Sequence, residues 1–419
     1  MSRLRTVVAF ARARWAPPPR TRAGLEARQR RRIRRHLRYL RRHSRYFAGV
    51  RTLAGAPPMD KPTMMRRFDD LNTVRVRRAD AQTVALAAER SRDFSPTLGP
   101  IAVGLSSGTS GHRGLFLVSP AERDAWAGTV LALTLPPRRL AGHRIALFLR
   151  ANNGLYETVR SRVVDFRYFD LTVPIEDHLA DLADFRPTIL VAPPSVLRVL
   201  ADSDARPRPE RVYSVAEVLD SGEAERFARA FGTDVTHQLY QCTEGFLGHT
   251  CAAGVLHLNE EHVLIEREWL DERRFVPVVT DFSRRAQPIV RYRLTDVLIA
   301  REGPCPCGSV LAAIDRIEGR ADDTLLLDGV RVFADLVSRA VIAADGFGEY
   351  RVVQTGPDRL EVHLDDLAAE AGVRRELSLL WQRLGITEPH LTFAPYTTDP
   401  TVKRRRVRRD WQEEAHAPV

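Results

Sequence analysis

A nine-residue stretch, Ser106-Ser107-Gly108-Thr109-Ser110-Gly111-His112-Arg113-Gly114, lies between two apolar runs, Ile101–Leu105 and Leu115–Val118. The flanks predict two strands, and the hydroxyls and glycines between them predict a loop. Glycines let successive backbone N–H groups converge on an anion, and Ser/Thr hydroxyls add donors. The loop is therefore suited to a phosphate chain, with a plain polar hairpin as the alternative. It is not a Walker loop: no Gly-Lys-Ser/Thr closes it, and a strand follows it rather than a helix.

A chain of 419 residues with 44% hydrophobic content can bury a large core and predicts two or three domains. No apolar run approaches the roughly 20 residues of a membrane span. Met1 to Trp15 is too rich in arginine to read as a secretory signal. Four cysteines do not make a disulfide framework in a chain this long. These features predict a cytoplasmic protein. The net charge of +11 resides at the two ends: residues 1–50 hold 16 Arg against one acid, Glu26, and residues 403–409 add six more positive charges. The remainder carries ten net negative charges. No recognised nucleic-acid module accompanies the basic ends, so nucleic acid is not an expected partner. Ile33, Leu37 and Leu40 recur at helical spacing and are followed by Tyr46 and Phe47. The expectation is a helix docked on the body with its arginines solvated.

Of 64 basic residues only Lys61 and Lys403 are lysines. Lysine is a compact charge on a flexible stem, whereas arginine is a planar fork. A lysine within the arginine run Lys403 to Arg409 is thus a candidate for chemistry.

Ala54 to Pro62 reads as a loop. Ser119-Pro120-Ala121-Glu122 is a capping box with proline at the first helical position. Strands are expected at Arg144 to Leu149 and Thr188 to Val191, and helices at Ile175 to Phe185, Pro194 to Leu200 and Glu223 to Phe231. That alternation is an α/β signature. Val263 to Arg293 is strand-rich, with a charged turn at Asp271 to Arg274. A new pattern of strand, turn, helix, strand, helix, strand begins beyond Gly319 and runs to the basic tail, which sets a boundary near Gly319 to Asp323.

Four further segments bear on chemistry: Leu239-Tyr240-Gln241-Cys242-Thr243-Glu244-Gly245, Arg291-Tyr292-Arg293-Leu294-Thr295-Asp296, Glu318-Gly319-Arg320-Ala321-Asp322-Asp323 with Arg331 close behind, and Lys403. Their order after the Ser/Thr/Gly loop resembles the adenylate-forming superfamily. Cys305-Pro306-Cys307-Gly308 and the short length resemble the phenylacetate-CoA ligase branch and the related deazaflavin-coenzyme adenylating synthetases. The resemblance implies an α/β chain in three parts. These are a basic helical arm over 1–50, a large AMP-binding domain with mixed sheets and flanking helices over 51–319, and a small mobile α+β lid over 320–419.

It also implies ATP and Mg²⁺ as cofactors, a small carboxylic acid as substrate, and CoA, a carrier protein or an amine as acceptor. Ser106, Ser107, Gly108, Thr109, Ser110 and Gly111 would hold the phosphates. Tyr240 would stack near adenine, and Thr243 would stand at the α-phosphate. Glu244 would ligate Mg²⁺, Asp296 would bind the ribose hydroxyls, and Arg320 and Arg331 would steady ribose and phosphate. Lys403 would bridge the two reacting anions, with Thr243 and Glu244 beside it in catalysis, and Asp322 would be the hinge. The superfamily loop often ends in Pro-Lys; here it ends in Arg113-Gly114.

Cys251, His257, Cys305 and Cys307 could supply three thiolates and an imidazole to a structural zinc, a pattern similar to that of related members of the branch. The alternative is free buried thiols, with Cys242 and His249 as rival ligands. Asn152, Asn153, Tyr156 and the Ser221-Gly222-Glu223 turn are candidates for the acid pocket. The sequence names no particular acid and leaves the oligomeric state open. Two other functions stay open: a nucleotidyltransferase that leaves AMP on a coenzyme hydroxyl, and a non-catalytic nucleotide-binding protein.

Overall fold

The computed structural model describes residues 2–105, 114–137, 139–149, 164–204, 206–220, 222–397 and 405–411. A 12-stranded sheet dominates it. Five strands run parallel at one end, in the order Val164–Asp170, His143–Leu149, Ile189–Ala192, Arg211–Ser214 and Thr236–Cys242. The last then pairs antiparallel with Gly245–Thr250, and the sheet continues antiparallel through Leu256–Leu258, Ala313–Arg320, Asp296–Ala300, Arg274–Asp281 and Val263–Trp269. The strand carrying Tyr240 is thus where the parallel and antiparallel halves meet.

Parallel strands need both faces covered. One face packs under helices Leu179–Phe185, Pro194–Asp202 and Glu223–Phe231, around Phe148, Phe169, Leu197 and Phe227. The other packs under helix Pro120–Thr134. That helix begins with the expected capping box, Ser119 and Glu122 each reaching the other's backbone. The expected strand at Thr188 is observed at Ile189–Ala192, and the first turn of the helix expected at Ile175 is 3-10.

The basic helix Arg22–His43 docks on the antiparallel half through buried Leu37 and Leu40. Arg22 makes a bidentate bond to buried Glu260 at 2.5 and 2.6 Å, and Gln29 Nε2 donates to Glu260 O. Most of its other arginines stay exposed, as the spacing predicts. Strands Ile101–Leu105 and Leu115–Val118 pair antiparallel with Leu105 opposite Leu115, as their flanking positions predict.

Residues from Leu325 to Val407 enclose a separate core around Trp381, Tyr350 and Val362. A four-stranded mixed sheet carries it, and helices Ala334–Ala343 and Glu370–Leu384 cover it. Two details differ from the sequence expectation. The strand expected between the helices is a hairpin, Tyr350–Gly356 with Arg359–Leu364. The basic tail is in part a strand: Val407–Arg409 pairs parallel with Tyr350–Gly356. A single valine among arginines hid it, because the arginines give the run a polar average while Val407 fills the core.

Candidate active site

Thr243 and Glu244 form a two-residue turn, because Cys242 pairs directly with Gly245 across the hairpin. Arg284 Nη1 donates to Thr243 O at 2.9 Å and ties the turn to the neighbouring loop. A side chain at Gly245 would meet Asp281 Oδ2 at 3.0 Å, so glycine suits the position. The turn sits at the carboxyl end of the last parallel strand, where α/β sheets open a crevice at a change of strand order.

Two side chains lie beside Glu244. Buried Tyr292 is one, and burial together with that carboxylate pushes the phenol up from its ordinary range. Cys242 lies beside it, its thiol pushed well up by burial and by Glu244. The sequence reading missed Tyr292 as a site residue. Its signal was its place in the Arg-Tyr-Arg segment, which reads equally well as a surface ladder.

Tyr240 and Asp296 meet: the phenol donates to Asp296 Oδ2 at 2.6 Å. Asp296 Oδ1 lies 3.8 Å from Arg320 Nε, and the two residues face each other across their strands. The Tyr240 ring is only 5% exposed and packs in the core with Leu247 and Tyr292. Its hydroxyl therefore works on the Asp296 carboxylate, whatever face the ring offers to a base.

Glu223 is not an open pocket residue. Its carboxylate accepts Arg198 Nε at 2.6 Å and the Asp220 N–H at 3.0 Å. Arg198, 11% exposed in its side chain, extends to Glu349 in the C-terminal part at 2.6 Å. Gly222 precedes the helix with φ +83°, a left-handed cap that favours glycine. Asp220 forms an ion pair with Arg406, whose guanidinium lies 5.0 Å over the Tyr350 ring. Arg405 pairs with Asp323 in the 3-10 turn Ala321–Asp323, and Ala321 N donates to Thr295 O. The tail is thus tied both to the Asp220 turn and to the segment after Arg320. Arg331 is exposed on the second strand of the hairpin Leu325–Leu327 and Val330–Val332. Ser106 to Arg113, Asn152, Asn153, Tyr156, Ser221 and Lys403 lie outside the described residues, as does the Asp322 side chain.

Cys251, His257, Cys305 and Cys307 come together, with their ligand atoms within 4.8 Å of one another. Cys251 Sγ lies 3.8 Å from Cys305 Sγ, and Cys307 Sγ lies 3.4 Å from His257 Nε2. A tetrahedral zinc with Zn–S near 2.3 Å and Zn–N near 2.0 Å requires edges of about 3.5 to 3.8 Å. His257 Nδ1 faces Leu311 O at 3.1 Å, which leaves Nε2 toward the thiols. The donor set fits the metal. The rivals stand apart from this cluster: His249 bonds to Asn259, and Cys242 lies by Glu244.

No protein-family model matches the chain. One relative is the phenylacetate-coenzyme A ligase of Thermus thermophilus, 28% identical over 184 residues. That match spans 39% of this chain and 40% of the ligase's length. Among solved structures, a 2-hydroxyisobutyryl-CoA ligase in its post-adenylation state superposes with a TM-score of 0.64 at 16% identity, covering 95% of this chain and 91% of the ligase. The chain has the adenylate-forming ligase fold. The same ligase in its thioesterification state superposes at 0.55, over 95% of this chain and 92% of the ligase. ATP-bound MatB from Rhodopseudomonas palustris shares the adenylate-forming fold at a TM-score of 0.54 and 16% identity, over 73% of this chain and 65% of MatB. Among the described residues no helix is long and apolar enough to cross a membrane.

Proposed function

We propose that this chain is an ATP-dependent acid–thiol ligase that activates a carboxylic acid as its adenylate and then passes the acyl group to CoA or a carrier thiol. The observation that carries the reading is the Tyr240–Asp296–Arg320 arrangement one strand-end away from the Thr243–Glu244 turn, at the switch of the sheet. The similarity to the Thermus ligase supports the reaction class.

A carboxylate oxygen of the acid attacks the α-phosphorus of ATP. The bond from that phosphorus to the bridging oxygen breaks, and pyrophosphate leaves. The thiol sulfur then attacks the acyl carbon and AMP leaves. Asp296 accepts hydrogen bonds from the ribose hydroxyls, its carboxylate held in place by the Tyr240 phenol and faced by Arg320. Thr243 donates at the α-phosphate. Glu244, with Tyr292 beside it, would hold Mg²⁺, a hard cation that takes carboxylate and phosphate oxygens and offsets phosphate charge. Ser106, Ser107, Thr109 and Ser110 with the loop glycines bind the β- and γ-phosphates. Lys403 bridges the incoming carboxylate and the α-phosphate and stabilises the charge that develops between them. Arg331 joins the phosphates only if the C-terminal part moves.

The chain divides into the arm 1–50, the body 51–319 and the lid 320–419, with Asp322 as hinge. The separate core of Leu325 to Val407 supports the division. The Arg406–Asp220 and Arg198–Glu349 pairs hold the lid in an adenylation arrangement, with Lys403 three positions before Arg406 in sequence. Cys251, His257, Cys305 and Cys307 would hold a zinc that staples the Glu244 hairpin to the loop leading into the Arg320 strand. The cytoplasm is the proposed compartment. ATP–pyrophosphate exchange tests the reading: exchange that needs an added carboxylic acid supports it, and exchange without any acid contradicts it.

A further inference from the structure

Helix Ser2–Trp15 has two apolar faces, and the fold covers one. Thr6, Ala9 and Phe10 press against helix Pro120–Thr134 so closely that a side chain at Gly128 would lie 2.3 Å from Thr6 O and 2.8 Å from Ala9 Cβ. Arg14 closes the contact: Nη1 donates to Ala132 O at 2.7 Å and Nη2 to Pro136 O at 3.1 Å. The helix is therefore fixed to the body.

On the opposite face the large apolar side chains are exposed among the described residues, Trp15 touching only the edge of Phe10. At 3.6 residues per turn, Leu4, Val8, Ala11 and Trp15 fall within a sector about 60° wide, with Val7 on its margin. Leu4 is 69% exposed, Val7 61% and Trp15 65%, a ridge of large apolar side chains in open water. Scattered exposed apolar residues are ordinary, but an aligned ridge marks an interaction surface. Arg5 and Arg12, both exposed, border the ridge on one side.

We propose that this face docks on an anionic phospholipid surface, with the apolar ridge at the acyl boundary and the arginines among the headgroup phosphates. Charge complementarity selects the occupant. Residues 1–50 carry 16 Arg and a single acid, so a second copy of the same face would be repelled. A nucleic acid would match the arginines but would leave Leu4, Val7 and Trp15 in water. A bilayer surface satisfies both at once, and an amphipathic helix of this kind lies in the interface plane without spanning it. Anionic headgroups attract clustered arginines within a Debye length.

The test is co-sedimentation of the full chain with vesicles of phosphatidylglycerol and phosphatidylcholine, against vesicles of phosphatidylcholine alone, at about 0.1 M salt. The expected result is binding to the anionic vesicles that falls about tenfold or more in Leu4→Glu/Val8→Glu and in Arg5→Glu/Arg12→Glu. Brominated phosphatidylglycerol is expected to quench tryptophan emission in the wild type and much less in Trp15→Gln. That single exposed substitution keeps the proposal testable if a double variant folds poorly. No binding to anionic vesicles overturns the proposal, as does binding that the ridge variants leave unchanged. A concentration-dependent dimer lost in Leu4→Glu/Val8→Glu without vesicle binding overturns it in favour of self-association. Retention of a DNA duplex without vesicle binding overturns it in favour of nucleic acid. None of these readings depends on the ligase activity.

Discussion

The Tyr240 hydroxyl donates to Asp296 Oδ2 at 2.6 Å, joining the last parallel strand to the antiparallel half of the sheet. Burial and the carboxylate keep the phenol protonated well above its ordinary range, so it remains a donor at any working pH. The carboxylate proposed to bind ribose is therefore fixed before nucleotide arrives, and no reorganisation is needed on binding.

Tyr240→Phe removes that donor and leaves Asp296 free to turn. The expected outcome is a KM for ATP raised roughly tenfold, equivalent to about 1.4 kcal/mol, with a smaller change in kcat. An unchanged KM would remove the link between Tyr240 and the nucleotide.

Tyr292→Phe should act through Glu244 alone. Glu244→Gln should abolish most Mg²⁺-dependent turnover, whereas Tyr292→Phe should shift the Mg²⁺ titration to higher concentration by several-fold and retain activity at saturation. Identical titrations for wild type and Tyr292→Phe would show that the phenol does not position the carboxylate.

The cysteine cluster predicts one zinc per chain by elemental analysis. Cys307→Ser should lose it, and Cys242→Ser should keep it. Chelation should lower the melting temperature by roughly 5 °C or more, because a structural zinc contributes folding energy directly. Metal content that follows Cys242 would reassign the site.

Acid should destabilise the protein through its buried histidines. His36, 3% exposed with neither ring nitrogen partnered among the described residues, is held down to about 4 by burial and by Arg285. His237 is likewise held to about 4, chiefly by burial. Both pKa values lie below the unfolded value near 6.5, so the unfolded chain takes up protons first as the pH falls. Stability is fully present above about pH 6.5 and declines toward pH 4. His36→Leu should flatten this decline and shift the acid-unfolding midpoint downward. A steeper profile in His36→Leu would contradict the assignment.

Arg198 and Arg406 predict an effect on one half-reaction. Removing Arg198 would strand two largely buried carboxylates and cost about 3 kcal/mol or more in stability, so Glu349→Gln is the cleaner probe. It should slow pyrophosphate exchange several-fold and leave thiol transfer from preformed acyl-adenylate near the wild-type rate. Equal loss in both steps would argue against a latch specific to adenylation.

Much of this was legible in the sequence. The paired strands Ile101–Leu105 and Leu115–Val118, the capping box at Ser119 and the docked helix through Leu37 and Leu40 follow from local chemistry and periodicity. The cluster of Cys251, His257, Cys305 and Cys307 emerged from spacing and resemblance. Other features depend on pairings between segments far apart in the chain, which no local pattern encodes. Tyr292 reaches Glu244 only because their segments converge in the fold. Arg198 joins Glu223, 25 positions on, to Glu349, 151 positions on. The Val407–Arg409 strand escaped notice because its arginines outweigh one buried valine.

The central claim is that this chain forms an acyl-adenylate, and ATP–pyrophosphate exchange against a panel of aryl, aliphatic and amino acids tests it most directly. The account predicts exchange that depends on one class of acid and is lost in Lys403→Ala while ATP still binds. Exchange independent of any acid, or Lys403→Ala exchanging at the wild-type rate, would contradict it.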